Sequence, residues 1–266
     1  MKNILEKIIE RKKEEVAEAK QKIKEAELLS SSGFQRKTFS LKETLLDKNK
    51  TGIIAEFKRR SPSKGIINAT AKVEDVTKAY TENGASCLSV LTDKDFFGGS
   101  LDDLKIARQN NIPILRKDFM IDEYQILESR ANGADVILLI AANLSPQRVK
   151  ELAVYAKKLD LEVLLEIHGD DELACVCDEV DFVGVNNRNL KTFEVDIENS
   201  IRLLNKLPKD KLAIAESGID NVQVVKQLRS AGFSGFLIGE NFMKYPNPGE
   251  AFKQYVQQLK ETEDAN

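Results

Sequence analysis

From Gly52 onward the chain alternates between short unbroken apolar runs and longer stretches whose apolar residues recur at helical spacing. The runs are IIAEF from Ile53, SCLSVL from Ser86, IPILRK from Ile112, DVILLI from Asp135, EVLLEI from Glu162, FVGV from Phe182, LAIAE from Leu212 and GFLIG from Gly235. Amphipathic segments such as VEDVTKAYTENGA, DEYQILESRANGA and NVQVVKQLRSAGF separate them, and Gly84, Gly133 and Gly232 stand where a helix takes a left-handed C′ residue. Continuous rather than alternating runs predict parallel strands buried on both faces. Eight strand–helix units predict a (β/α)8 barrel over residues 51–250. A doubly wound open sheet is the alternative, but no G-x-G-x-x-G follows the first run. Residues 1–50 read as a helical extension of this single domain of residues 1–266. Ile4, Leu5, Ile8, Ile9 and Val16 predict a helix over 1–29, and SSSGF breaks it. SLKETLLDKN then starts a second helix with a capping box between Ser40 and Glu43.

The ends of the odd-numbered runs carry the chemistry. The first closes on Glu56-Phe57-Lys58, the third on Arg116-Lys117-Asp118, the fifth on Glu166-Ile167-His168 and the seventh on Glu216-Ser217-Gly218. Alternation along a strand puts Glu56 and Lys58 on one face and Phe57 on the other. A barrel builds each interior layer from alternate strands and keeps catalytic groups at the strands' C-terminal ends. Glu56 or Lys58, Lys117, Glu166 and Glu216 are therefore expected in one layer at the mouth, although four separate solvated strand ends would also be charged. Crowded carboxylates and ammonium groups perturb one another's pKa and serve acid–base work. Glu56 or Glu166 is expected to keep Lys117 charged, while burial and Lys58 draw its pKa down. Gly218 and Gly239 follow the last two runs, where backbone N–H groups can hold a phosphate, though a glycine also simply makes a turn.

Composition narrows the classes. Of 266 residues, 42% are apolar and 31% charged, which fits a globular chain, and the net charge of −3 gives no general attraction for nucleic acid. KRRSPSKG is basic but lacks interleaved aromatics, so it reads as a loop covering a substrate. No apolar run is long enough for a membrane span, and the charged start MKNILEKIIERKKEEV is no signal peptide. Three cysteines (Cys87, Cys175 and Cys177) fit a reducing compartment, so a cytoplasmic monomer is expected, with Cys175 and Cys177 as helix-packing thiols. The only histidine, His168, gives nothing to build a histidine metal site or a Ser-His-Asp triad, and reads as a packed or surface residue. No metal and no cofactor are expected.

IIAEFKRRSPSKG, LTDKDFFGGS, ILRKDFMID, GADVILLIAANL, VLLEIH, GVNNRNL, IAESGI and FLIGENFM run in this order over residues 53–243. With these motifs the chain resembles the indole-3-glycerol-phosphate synthase family of tryptophan biosynthesis, over nearly its whole length. The resemblance implies a TIM barrel whose N-terminal helices cap the mouth, and a carboxy-lyase that needs no cofactor. The reaction implied is ring closure of 1-(2-carboxyphenylamino)-1-deoxyribulose 5-phosphate with loss of CO2 and water. By the same resemblance Lys117 is the general acid, Glu166 the acid/base of dehydration, Glu56 an orienting carboxylate and Lys58 a cation for the substrate's anionic groups. Ser61, Asn186, Arg188, Glu216 and Ser217 are implied to position the substrate, and Phe97, Phe119 and Leu138 to wall its aromatic ring. Gly218, Gly239 and the backbone of Glu240 are implied to cradle the phosphate; some relatives carry Ser at this last position, and the Glu240 carboxylate would repel a phosphate. The rival readings are a related phosphate-binding barrel such as phosphoribosylanthranilate isomerase, a non-catalytic binding barrel, and an interaction protein using the charged helix 1–29.

Overall fold

The eight apolar runs form eight parallel strands: β1 (Ile53–Phe57), β2 (Cys87–Leu91), β3 (Ile114–Lys117), β4 (Val136–Ile140), β5 (Glu162–Ile167), β6 (Phe182–Asn186), β7 (Leu212–Glu216) and β8 (Gly235–Ile238). Each pairs with its neighbours in chain order and β8 pairs back onto β1, which closes the barrel. The computed structural model describes residues 2–188 and 195–264. Asn189 and Leu190, the end of the GVNNRNL motif, lie outside the described residues.

Period-two alternation divides every strand between two apolar surroundings. Ile54, Leu115, Leu164 and Ile214 fill the barrel interior with Cys87, Val136, Phe182 and Leu237. Their neighbours Ile53, Ile114, Val163 and Ala213 belong to the shell beneath the helices. Both faces are dry, so the sequence shows runs instead of alternation. Burying one such aliphatic side chain contributes about 1.5–3 kcal/mol. Two residues beyond each interior residue of the odd strands, the inward position is occupied by Glu56, Lys117, Glu166 or Glu216.

The extension differs from expectation in two ways. Where one helix was expected the described chain forms two, α1 (Ile4–Lys22) and α2 (Glu25–Ser30); α3 (Ser32–Gln35) and α4 (Leu41–Leu46) follow. The chain extends at Ile23 between α1 and α2. There the Tyr124 hydroxyl lies 2.9 Å from the Ile23 carbonyl and 3.1 Å from that of Ala19, and its single proton can serve either. The extension also reaches both ends of the barrel. Ile4, Leu5 and Ile8 of α1 line the mouth. In α4, by contrast, Leu41 is fully buried in the interior cluster beside the strand beginnings. Ser40 Oγ and the Leu41 N–H each donate to Glu162 at 2.6 Å, at the N-terminal end of β5. Ser40 caps α4 by accepting from the Glu43 N–H, and the carboxylate that completes the cap is Glu162. The open base of a barrel needs an apolar plug, and α4 supplies it.

Outside the strands pack α5 (Val73–Glu82), α6 (Leu101–Ala107), α7 (Glu123–Ala131), α8 (Pro146–Lys158), α9 (Ile197–Leu204), α10 (Val222–Ala231), the short α11 (Glu240–Met243) and α12 (Pro248–Asp264). Gly84, Gly133 and Gly232 have positive φ, as expected of residues that end helices. Between β5 and β6 the connection is a 3₁₀ helix, Asp170–Cys175. Cys175 is buried at its end and Cys177 half-buried just after it, so these free thiols lie at and beyond a 3₁₀ turn and not on an α-helix. No helix among the described residues is long and apolar enough to cross a membrane.

Candidate active site

All of the candidate residues line one cavity of about 520 Å³ at the C-terminal ends of the strands. At its floor Lys117 Nζ lies 3.1 Å from Glu166 Oε2 and 3.8 Å from Glu216 Oε2. Lys58, one residue past β1, reaches back so that its Nζ stands 2.7 Å from Glu56 Oε1. Asn186 at the end of β6 donates from Nδ2 to Glu166 Oε1 at 3.1 Å. The four odd-strand charges thus share one layer, because each follows an interior residue by two positions.

Opposed charges set the protonation states of this layer. Burial alone would lower the pKa of Lys117, yet Glu166, Glu216 and Glu56 raise it well above the ordinary lysine value. The expected pull toward neutrality by burial and Lys58 therefore loses to three carboxylates. Burial alone would raise Glu166, but Lys117 and then His168 hold it well below the usual carboxylate range. Glu216 goes the other way: burial first, then the charge of Glu166, push it up to about 8. The floor thus carries a permanent proton donor, an ionised carboxylate and a carboxyl that keeps its proton near neutrality.

The walls supply shape. Phe97 and Phe119 stand with ring centroids 6.0 Å apart and planes tilted by 40°, above the Leu138 side chain that belongs to the barrel interior. This makes an apolar slot for a flat ring. On the opposite rim Ser217 and Gly218 both have left-handed backbones, with φ of 66° and 67°. A non-glycine residue in that region costs about 1–3 kcal/mol, and such strain collects at functional sites. Asn187 Nδ2 holds the strained turn through the Ser217 carbonyl at 2.6 Å. Gly239 and α11 complete this rim. The Glu240 carboxylate lies between Lys64 Nζ at 3.5 Å and Arg188 Nη2 at 3.8 Å, so in this structure it occupies two cations that would suit an anionic ligand. Ser61 is buried in the first loop and accepts from the Lys64 N–H. That loop folds as a small hairpin, Arg60–Ser61 with Gly65–Ile66. Arg59 pins it through Asp103 at 2.6 and 2.9 Å.

Several residues escape the sequence pattern. Lys12 on α1 is 3% exposed and contacts Asp93 and Asp118, each at 2.9 Å. Burial opposes its charge, but Asp118 and Asp93 raise its pKa well above the ordinary value. Asp93 Oδ1 accepts from the Phe96 and Phe97 N–H groups, and Asp118 Oδ1 from that of Phe119. One buried ammonium therefore fastens α1 to the bases of both phenylalanine walls. A lysine at the fourth position between Ile8 and Val16 on one helical face is the signal that could reveal it. Gly184 in β6 is another. A Cβ there would come within 2.1 Å of Glu216 Oε1, so the glycine makes room for that carboxylate. Glycine inside a strand often marks such an approach. His168, read as a bystander, stands 3.2 Å from Glu166.

A binding barrel gains nothing from burying mutually opposed lysines and glutamates under its ligand. These groups, at the strand ends where barrel enzymes work, put the molecule in the class of TIM-barrel enzymes. A family model described as indole-3-glycerol phosphate synthase matches residues 5–255. An indole-3-glycerol phosphate synthase of Bacteroides thetaiotaomicron is 50% identical over 97% of this chain and 100% of its own. That of a Polaromonas species (strain JS666) is 45% identical over 96% of this chain and 98% of its own. Among solved structures, tryptophan synthase subunit alpha from Legionella pneumophila superposes with a TM-score of 0.63 at 12% identity, over 85% of this chain and 98% of that one. 3-Hexulose-6-phosphate synthase from Salmonella typhimurium gives 0.61 at 12% identity, over 79% and 98%. The latter two share the barrel alone. The chain belongs to the indole-3-glycerol phosphate synthase family.

Proposed function

We infer that the protein is an indole-3-glycerol-phosphate-forming carboxy-lyase of tryptophan biosynthesis, closing the ring of 1-(2-carboxyphenylamino)-1-deoxyribulose 5-phosphate. The observation that carries the chemistry is the Lys117–Glu166–Glu216 cluster on the cavity floor, with contacts of 3.1 and 3.8 Å. The Phe97–Phe119 slot and Leu138 hold the aromatic ring, and the N–H groups of Gly218, Gly239 and Glu240 hold the phosphate. Held so, the carboxylate-bearing ring carbon meets the ketone carbon, and positioning of this kind contributes several kcal/mol to ring closure. Lys117 protonates the ketone oxygen as the new C–C bond forms. The ring–carboxylate bond then breaks, CO2 leaves and the ring regains aromaticity. In the dehydration step Lys117, reprotonated from solvent after ring closure, gives the departing hydroxyl the proton with which it leaves as water, while Glu166 takes the proton lost from the neighbouring carbon. Lys58 meets the substrate's carboxylate and can exchange protons, and Glu56 orients Lys58. Ser61, Asn186, Arg188, Glu216 and Ser217 position the sugar and its anionic end. On substrate binding Lys64 and Arg188 exchange the Glu240 carboxylate for the phosphate.

The odd cysteine count supports a cytoplasmic protein, and we infer a monomer, which light scattering on a sizing column tests. The function is tested by incubating purified protein with the carboxyphenylamino sugar phosphate in the presence of EDTA and following indoleglycerol fluorescence. Product should form without added metal. No product at any protein concentration refutes the reaction; activity lost to EDTA and restored by Mg²⁺ refutes metal independence.

A further inference from the structure

Behind Glu166 the chain's single histidine is caught between two carboxylates from different elements. His168 Nε2 lies 3.2 Å from Glu166 Oε1, and Nδ1 lies 3.5 Å from Glu172 Oε2 in the 3₁₀ helix that follows β5. The ring is 13% exposed and does not line the substrate cavity. Glu172 Oε2 also accepts the backbone N–H of His168 at 2.6 Å, so the carboxylate that faces the ring is fixed by the main chain beside it. A neutral imidazole donates from only one nitrogen and would turn the other's lone pair on an anion. Carboxylates facing both nitrogens call for two ring protons. Burial works against that charge, but Glu166 and Glu172 outweigh it and raise the pKa to about 10. The other charges at this end of β5 are Lys117, beyond Glu166, and Glu216, whose pKa His168 lowers in opposition to burial.

We propose that His168 is a positioning residue for Glu166: as an imidazolium braced by Glu172, it fixes Glu166 Oε1 so that Oε2 faces Lys117 and the substrate. Asn186 shares the hold on Oε1, and Lys117 takes Oε2 at 3.1 Å. Without His168, Glu166 loses the cation that faces Oε1 and keeps there the Asn186 hydrogen bond. The proposal rests on the acid/base role inferred above for Glu166.

Because the histidine is unique, its Cε1–H resonance is unambiguous in NMR of the unaltered protein. It should titrate well above pH 8, and Glu166→Gln should lower that titration by about one unit or more. Titration near the ordinary histidine value of 6.5, or no change in Glu166→Gln, overturns the proposal. In turnover, His168→Gln keeps a hydrogen-bond donor but removes the charge. Its kcat–pH profile should shift its acid limb upward by about one unit. His168→Ala, which removes the donor as well, should lower kcat about tenfold with KM nearly unchanged. Folded variants with wild-type kcat and an unmoved acid limb refute the role. Should both variants fail to fold, the NMR titration decides alone. Glu166→Gln with wild-type turnover refutes the inferred role of Glu166 and the catalytic half of this proposal with it. That failure is told apart by an imidazolium titration that still responds to Glu166→Gln.

Discussion

Lys117 is a lysine whose neighbours forbid it to be neutral. Three carboxylates raise its pKa against burial, so it stays protonated through neutral pH and returns to that state after each turnover. General acid catalysis contributes about 10²–10⁴-fold. Lys117→Met keeps the stem and removes the proton, so kcat should fall at least about 10²-fold while the protein folds. Turnover within a few-fold of wild type would pass the acid role to Lys58. Gly184 tests the same floor from the other side. Its φ is not in the left-handed region, so alanine is allowed by the backbone, but the added Cβ would strike Glu216 Oε1. Gly184→Ala should cost activity far more than stability, because the Glu216 carboxyl must move while the strand need not. Comparing kcat/KM with thermal midpoint checks this; a collapse of the midpoint with unchanged kcat/KM on the folded fraction would show the glycine serves packing.

At the scale of elements, α1 is held to the mouth by a charge, not only by Ile8 and Val16. Lys12→Met would leave Asp93 buried without a cation and Asp118 with Arg116 alone, at 3.2 Å. Breaking such a pair costs about 3–5 kcal/mol if the surroundings stay closed. The helix has an escape that a strand lacks: by lifting away it lets both aspartates hydrate. Lys12→Met should therefore behave like removal of residues 1–30, raising KM and exposing the extension to proteases while the barrel keeps most of its midpoint. The coupling runs through Phe97 and Phe119, whose N–H groups the two aspartates hold. KM, limited proteolysis and scanning calorimetry decide. A large fall in midpoint with KM unchanged would make the clasp structural. α4 predicts the contrary: Leu41 plugs the barrel base, and Leu41→Ala should cost about 2–5 kcal/mol of stability and leave KM alone.

For the whole molecule, the eight strands were legible as unbroken apolar runs, and the layer at their ends because inward positions recur at every second residue. Ile54 and Glu56, or Leu164 and Glu166, are one pattern that turns from apolar to charged as the strand leaves the core. The phosphate rim was legible only as two glycines; the strained Ser217 backbone has no mark in the sequence. Lys12, Asp93 and Asp118 were illegible because residues 25 or more positions apart meet only after folding, and a lone charge ordinarily means solvent. His168, read as a packed or surface residue, is largely buried, and the turn of the chain after β5 sets Glu166 and Glu172 on either side of its ring. These buried charges also give the molecule its response to pH. Glu216 is pushed up to about 8 from 4.5, so between those values the folded state binds more protons than the unfolded one, and stability falls as pH rises. His168, raised from 6.5 to about 10, contributes stability that is complete below 6.5 and is lost as pH climbs toward its folded value. Glu166 and Asp118 are lowered, so their contribution is present above the ordinary carboxylate range and is lost on acidification. The midpoint should therefore peak near pH 4.5 and decline from there to about pH 9. Glu216→Gln mimics the protonated acid at every pH. It should lose less midpoint than wild type between about pH 5 and 8, and above about pH 8 it should be the more stable protein despite weaker catalysis. Scanning calorimetry across that range checks both statements, and a wild-type midpoint that rises from about pH 6 to 9 would show that Glu216 and His168 are not held protonated in the folded state.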